Sequence, residues 1–214
     1  MAHALMTLTL ADILAAQKTI AGVATDTPLV PSPFLSERSG AEFLLKLEIV
    51  QPIGAFKLRG AMNAIANLPA DVSGVTCCST GNHGRGVAFA ARARGIRAVI
   101  CMSSMVPKAK VDGIRALGAE VHIAGESQDA AGAESLRLSE EEGLAQISPF
   151  DDADVIAGQG TIGIELLAQR PDLVDAAADP IAAPLLQHQD VRLREGFRER
   201  RLPALRIPHQ YADA

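Results

Sequence analysis

An α/β fold built on a parallel sheet is predicted by three observations on the sequence. Strand-like apolar runs at residues 75–78, 98–102, 120–124 and 144–147 recur about 22 to 25 residues apart. Segments with helical spacing of apolar residues fill the intervals, at 82–94, 107–117 and 127–142. Punctuating residues stand where such elements should turn: Pro107 suits a first helical turn, and Gly118 suits the stop after Leu117. Strands and helices alternating at this interval imply right-handed crossovers between parallel strands.

The elements before the sheet are read in the same way. Leu10, Ile13, Leu14, Gln17 and Ile20 have helical spacing, and Thr9 with Asp12 has the form of a capping box. Gly22 and the Thr27-Pro28 step end that helix. A loop carrying Pro28, Pro31 and Pro33 is expected next, then a short strand at 43–47. Gln51-Pro-Ile-Gly-Ala-Phe-Lys57 reads as a turn that enters a helix running to about Leu68. Residues 154–169 form one more helical pattern, interrupted by Gly158, Gly160 and Gly163.

Composition removes several classes of function. The 214 residues are 48% hydrophobic and 21% charged, enough apolar material for a globular core. A formal net charge of −5 argues against nucleic acid as a partner, since phosphate binding wants a basic face. The most apolar stretch, 87–102, is broken by Arg92, Arg94 and Arg97, so no membrane span is expected. The first ten residues lack a basic start and a small-residue cleavage site, which leaves the cytoplasm as the expected compartment. Cys77, Cys78 and Cys101 are expected to be small strand residues in a reduced state. The five histidines show no metal-ligand spacing, so no metal is expected.

Three segments carry chemistry. Lys57 stands at the mouth of a predicted helix between Phe56 and Leu58. An amine in apolar surroundings near a helix N-terminus has its ammonium form disfavoured, which suits a nucleophile for Schiff-base chemistry. On position alone, a helix lysine whose stem lies along apolar surface is the better fit. Ser79-Thr-Gly-Asn-His-Gly-Arg-Gly86 joins a predicted strand to a predicted helix, where small residues and free N–H groups suit an anion such as a carboxylate. Its glycine spacing matches neither the dinucleotide fingerprint nor the Walker loop, and a plain tight turn fits it as well. Ala157-Gly-Gln-Gly-Thr161 places glycines inside a helical pattern at a cost of about 1 kcal/mol each, which calls for a packing or ligand reason.

Taken together, Ala55-Phe-Lys-Leu-Arg-Gly-Ala61, Ser79-Thr-Gly-Asn-His83 and Ala157-Gly-Gln-Gly-Thr161 resemble, in order and spacing, a known family. It is the threonine dehydratase and serine racemase branch of the fold-type II pyridoxal-phosphate enzymes. Within it, the runs at 51–57 and 77–86 look most like the hydroxyectoine-utilisation dehydratases. The resemblance implies two parallel-sheet α/β domains of the tryptophan synthase β-like architecture. Residues 1–73 with 149–175 would belong to an incomplete large cofactor domain, and 74–148 would be the small domain.

The resemblance also implies pyridoxal 5′-phosphate as cofactor and a small amino acid as substrate. Lys57 would hold the cofactor aldehyde and take the substrate α-proton. Phe56 would pack against the cofactor ring, and Asn82 would hydrogen-bond its 3′-oxygen. Ser79, Thr80, Gly81 and His83 would surround the substrate carboxylate, with Thr80 where racemising relatives carry a second acid/base serine. Ala55 replaces a serine of the family motif. The implied reaction is β-elimination of water from a threonine- or serine-like or hydroxyectoine-derived β-hydroxy amino acid, giving a keto acid and ammonia. Full-length relatives are expected to be homo-oligomers.

Residues 176–214 depart from the family. They contain one glycine, Gly196, and an arginine-rich run, so the glycine-rich phosphate loop expected there is missing. This tail is unrecognised, and a frame-shifted or truncated reading is expected, with weakened cofactor binding and impaired activity. The alternative reading is a non-catalytic fragment that keeps the small domain.

Overall fold

The structure, a computed structural model, describes residues 8–172. The first helix, α1 (Leu10–Thr19), opens on the predicted capping box. Thr9 donates its N–H to Asp12 Oδ2 at 2.7 Å, while Thr9 Oγ1 accepts from the Asp12 N–H at 3.4 Å. The proline-bearing segment, expected to be a loop, instead holds strand β1 (Leu29–Pro31) and helix α2 (Pro33–Ser39). Both prolines sit where a missing N–H costs little. Pro31 ends a strand of a two-stranded sheet, and Pro33 occupies the first turn of a helix. Strand β2 (Leu44–Lys46) pairs antiparallel with β1, Val30 facing Leu45.

A single 3₁₀ turn (Glu48–Val50) leads to α3 (Lys57–Asn67), and then the predicted alternation begins. It runs β3 (Gly74–Cys78), α4 (Asn82–Arg94), β4 (Arg97–Met102), α5 (Lys108–Arg115), β5 (Glu120–Ile123), α6 (Gln128–Glu142) and β6 (Ala145–Gln146). These four strands form one parallel sheet in the order β5-β4-β3-β6. Val75 pairs with Ala98 on one side and with Ala145 on the other. Val75, Val99, Ile100 and Met102 are fully buried, as expected for a parallel sheet covered on both faces.

Three expected boundaries move. Pro107 precedes α5 as its cap rather than entering the helix, and α5 ends at Arg115, before the turn that brings Gly118 to φ +90°. Only Ala145 and Gln146 of the fourth predicted strand pair in register, and the Ile147 N–H extends the ladder by donating to Thr76 O at 2.9 Å. Ser127 caps α6, its Oγ accepting from the Ala130 N–H at 3.1 Å, a bond that contributes about 1 kcal/mol.

Helix α7 (Ala153–Gln169) is continuous through its glycines. The chain up to Gln169 is one compact unit, in which α7 packs along α3 and α1. Of the second unit, only residues 170–172 are described, with Arg170 Nε donating to Asp172 Oδ1 at 2.7 Å. The tail predicted at 176–214 lies outside the described residues. No helix among the described residues is long and apolar enough to cross a membrane.

Candidate active site

Lys57 is the first residue of α3, and no side chain caps that helix start. Its Nζ donates to the Pro149 carbonyl oxygen at 3.1 Å and lies 5.4 Å from the centroid of the Phe56 ring. The amine is half-buried, and desolvation lowers its pKa below the ordinary lysine value. Phe56 itself is exposed, leaving a ring face open beside the amine.

The loop 79–83 connects β3 to α4. Gly86 lets α4 approach the start of α3, because a Cβ there would stand 3.0 Å from Lys57 O. Ser79 is buried, and its Oγ accepts from the N–H groups of Gly84 at 2.9 Å and Gly81 at 3.3 Å. Its hydroxyl is therefore engaged in shaping the turn. His83 is buried as well, with Nε2 3.0 Å from the Ile147 carbonyl oxygen. Since a carbonyl only accepts, Nε2 carries the proton, and Nδ1 is a buried acceptor with no partner among the described residues. Burial holds the imidazole below its ordinary pKa, against the opposing bond to Ile147, and nearby Lys57 lowers it further.

Thr80, Gly81 and Asn82 face differently. They line an open cavity of about 410 Å³ together with Arg85, Lys110 and Ile114. In the first turn of α4, the Gly84 N–H donates to Ser79 Oγ at 2.9 Å and the Arg85 N–H to Gly81 O at 3.2 Å, both partners lying ahead of the helix. The structure thus places Lys57, Ser79 and His83 on one packed seam and Thr80, Gly81 and Asn82 on an accessible rim. What His83 can offer a ligand on that rim is its backbone N–H.

The third predicted segment has a packing reason. A Cβ on Gly158 would stand 2.5 Å from Arg59 O, one on Gly60 would stand 2.6 Å from Val155 O, and one on Gly160 would meet Ile13 at 2.9 Å. The glycines let α7 lie backbone to backbone against α3. Beneath this contact is a buried ionic cluster that the sequence reading assigned to no role. Arg59, 1% exposed, bonds both Glu48 and Glu165, and Lys46 Nζ donates to Glu165 Oε2 at 2.5 Å. Burial alone would raise the Glu165 carboxyl, but bonds from Arg59 and Lys46 outweigh it and hold the carboxyl below its ordinary pKa. The signal in the sequence was Arg59 itself, a charge set between apolar Leu58 and Gly60 on a buried helix face, which requires paired anions.

Two of the three cysteines are buried strand residues, as expected, whereas Cys78 is half-buried and accepts at Sγ from Gln128 Nε2 at 3.0 Å. Among the described residues no group of three or more His, Cys, Asp or Glu side chains could hold a metal.

The profile of the family described as pyridoxal-phosphate dependent enzyme matches residues 20–183. The L-threonine ammonia-lyase of Thermotoga maritima is 45% identical over 168 residues, covering 78% of this chain and 42% of that enzyme. Among solved structures, the processed form of threonine deaminase isoform 2 from Solanum lycopersicum is 44% identical with a TM-score of 0.70, covering 75% of this chain and 44% of that one. Maize serine racemase is 36% identical with a TM-score of 0.72, covering 76% and 50%. The chain therefore spans about half the length of these relatives. Their likeness gives the α/β architecture as tryptophan synthase β-like. By its motifs, its fold and a family match across most of its length, the chain belongs to the pyridoxal-phosphate dependent enzymes.

Proposed function

We propose that this chain carries the reactive amine and the substrate loop of a pyridoxal 5′-phosphate-dependent lyase that removes water from a β-hydroxy amino acid. The observation that carries the reading is Lys57. It is an amine with a lowered pKa, half-buried beside an exposed aromatic ring, on a helix start that α4 approaches closely at Gly86. An amine of that kind fits a carbonyl cofactor, because it is unprotonated in a larger share of molecules than a solvated lysine. The relatives named as threonine ammonia-lyase and threonine deaminase support the same reaction class.

In this reading Lys57 would hold the cofactor through its amine and, once the substrate amine has taken its place, would accept the substrate α-proton at Nζ. Phe56 would pack on the cofactor ring and Asn82 would donate to its 3′-oxygen. The substrate carboxylate would sit against the loop of Thr80, Gly81, Asn82 and His83, on the N–H groups of Thr80, Asn82 and His83. The Ser79 hydroxyl, accepting from the Gly81 and Gly84 N–H groups, holds the turn in shape. When bound, the cofactor supplies an electron sink for the charge left at the α-carbon. The β-hydroxyl leaves with a proton as water, and the Thr80 hydroxyl is within the loop to pass that proton. Hydrolysis of the remaining product yields a keto acid and ammonia. Residues 74–148 act as the small domain, and 1–73 with 149–175 contribute to the cofactor domain. Threonine and serine are the first substrates to test, then hydroxyectoine-derived β-hydroxy amino acids.

A visible-absorbance titration with pyridoxal phosphate, borohydride fixation and peptide mapping tests the reading, together with keto-acid release. Label on Lys57 and release of 2-oxobutanoate from threonine are expected. The second reading, a non-catalytic fragment, rests on the single glycine in 176–214, which leaves no glycine-rich phosphate loop there. It predicts no Lys57 label at cofactor concentrations up to about 1 mM, where a pocket lacking its phosphate bonds would remain mostly empty.

A further inference from the structure

We infer that Arg59 is the positioning residue for Lys57: its buried ionic cluster pins the first turn of α3 and fixes where the amine is delivered. The inference rests on Lys57 being the residue that takes the cofactor.

The start of α3 has no side-chain cap. Its Leu58 and Arg59 N–H groups donate instead to the backbone oxygens of Ala55 at 3.4 Å and Phe56 at 3.1 Å. The turn is thus held by main chain and by whatever fixes its side chains. Lys57 lies in that turn, and so does Arg59, whose side chain is bonded on every side. Its Nε and Nη2 donate to Glu48 Oε2 at 2.9 Å and Oε1 at 2.8 Å. Nη1 and Nη2 donate to Glu165 Oε1 at 2.5 Å and Oε2 at 3.0 Å. Nη1 also reaches Thr161 Oγ1 at 3.2 Å, and Nη2 reaches Thr25 O at 3.2 Å.

The partners are themselves fixed. Thr27 Oγ1 donates to Glu48 Oε1 at 2.6 Å, and Lys46 Nζ holds Glu165. Two cations and two carboxylates balance in charge, so the cluster leaves no bare buried ion. Only a guanidinium can span two carboxylates with parallel bonds to each; an ammonium is a point donor. The main chain is gripped too, because α7 passes so close at Gly158 that no Cβ fits over Arg59 O. Arg59 is thus fixed by side chain and backbone together, and the amine two residues earlier inherits that placement. A misplacement of about 1 Å at a reacting group can lower a rate on the order of a hundredfold.

The test uses the 214-residue chain and its Arg59→Met, Arg59→Lys, Glu165→Gln and Thr161→Val variants. Thermal melts monitor folding. The pH midpoint of reductive methylation at Lys57, read by peptide mass relative to Lys18, monitors the amine without cofactor. Arg59→Met is expected to raise that midpoint toward the ordinary lysine value, as a loosened turn lets water reach Nζ, and to weaken pyridoxal phosphate capture about tenfold or more. Arg59→Lys should recover only part of both. A folded Arg59→Met with wild-type midpoint and capture overturns the inference. Should Arg59→Met fail to fold, an unchanged midpoint in both Glu165→Gln and Thr161→Val overturns it instead. If the unaltered chain captures no cofactor at Lys57, the functional reading fails, while the methylation midpoints still decide the role of Arg59.

Discussion

Lys57 and His83 hold the same short stretch of backbone from two different helices. Lys57 Nζ, on α3, is 3.1 Å from Pro149 O, and His83 Nε2, on α4, is 3.0 Å from Ile147 O. The segment leaving the last strand of the sheet is thereby fastened to both helices that carry the candidate site. One of the two residues is the amine proposed to react, and the other is a buried imidazole that braces the same segment at Ile147.

Replacing Lys57 by alanine should abolish borohydride-fixable pyridoxal phosphate on the chain. Lys108 and Lys110 are exposed and solvated, and Lys108 already pairs with Asp112 at 2.5 Å. Peptide mapping decides the matter, and label found chiefly on those two lysines contradicts the assignment. In the unaltered chain the labelling midpoint should fall below the free-lysine value of about 10.4, because burial lowers the Lys57 pKa.

Stability should fall on mild acidification because of His83. Its folded pKa lies below the unfolded value of about 6.5, so the unfolded chain binds the proton more readily between those two values. Stability is complete above about pH 6.5 and declines as pH drops through that window. Urea melts at pH 7.5 and pH 5.5 should show the decline, and His83→Gln should flatten it. An equal slope in both proteins excludes His83 as the source.

Two glycines on one helix should respond in opposite directions. Gly158→Ala drives a methyl to 2.5 Å from a backbone oxygen and should destabilise by about 1–3 kcal/mol. Gly163→Ala meets nothing within 4 Å in a helix interior and should stabilise by about 0.4–1 kcal/mol. Thermal denaturation of the pair checks the packing of α7 on α3, and equal shifts would contradict it.

The thiols should report unfolding. Burial raises all three, Cys101 being pushed up to about 11, so little thiolate exists near neutral pH. Alkylation at pH 7.5 should reach the half-buried Cys78 first, while Cys77 and Cys101 react only at the rate of global opening. Fast modification of Cys77 in native buffer would show that the β3 strand is not the closed core described.

The parallel sheet was legible in the sequence because each strand is an unbroken apolar run and each interval has helical spacing. Strand β1 and helix α2 were hidden by Pro31 and Pro33, which read locally as loop punctuation. Only pairing with Leu44–Lys46 shows that Pro31 stands where no N–H is missed. Lys57 and the 79–83 loop were legible through their residue types and order. The separate duties within that loop were not, since nothing in Ser79 or His83 as letters says whether a side chain turns inward.

By itself the sequence determined the α/β class, the family and Lys57 as the reactive candidate, because apolar periodicity and short motifs are properties of neighbours along the chain. Tertiary structure alone decided that the glycines of α7 are a packing seam, that Arg59 meets Glu48 and Glu165, and that His83 braces Ile147 from within. Glu165 lies 106 positions from Arg59, and Ile147 lies 64 from His83. Charges and hydrogen bonds so far apart in sequence choose their partners only when burial removes water as the alternative.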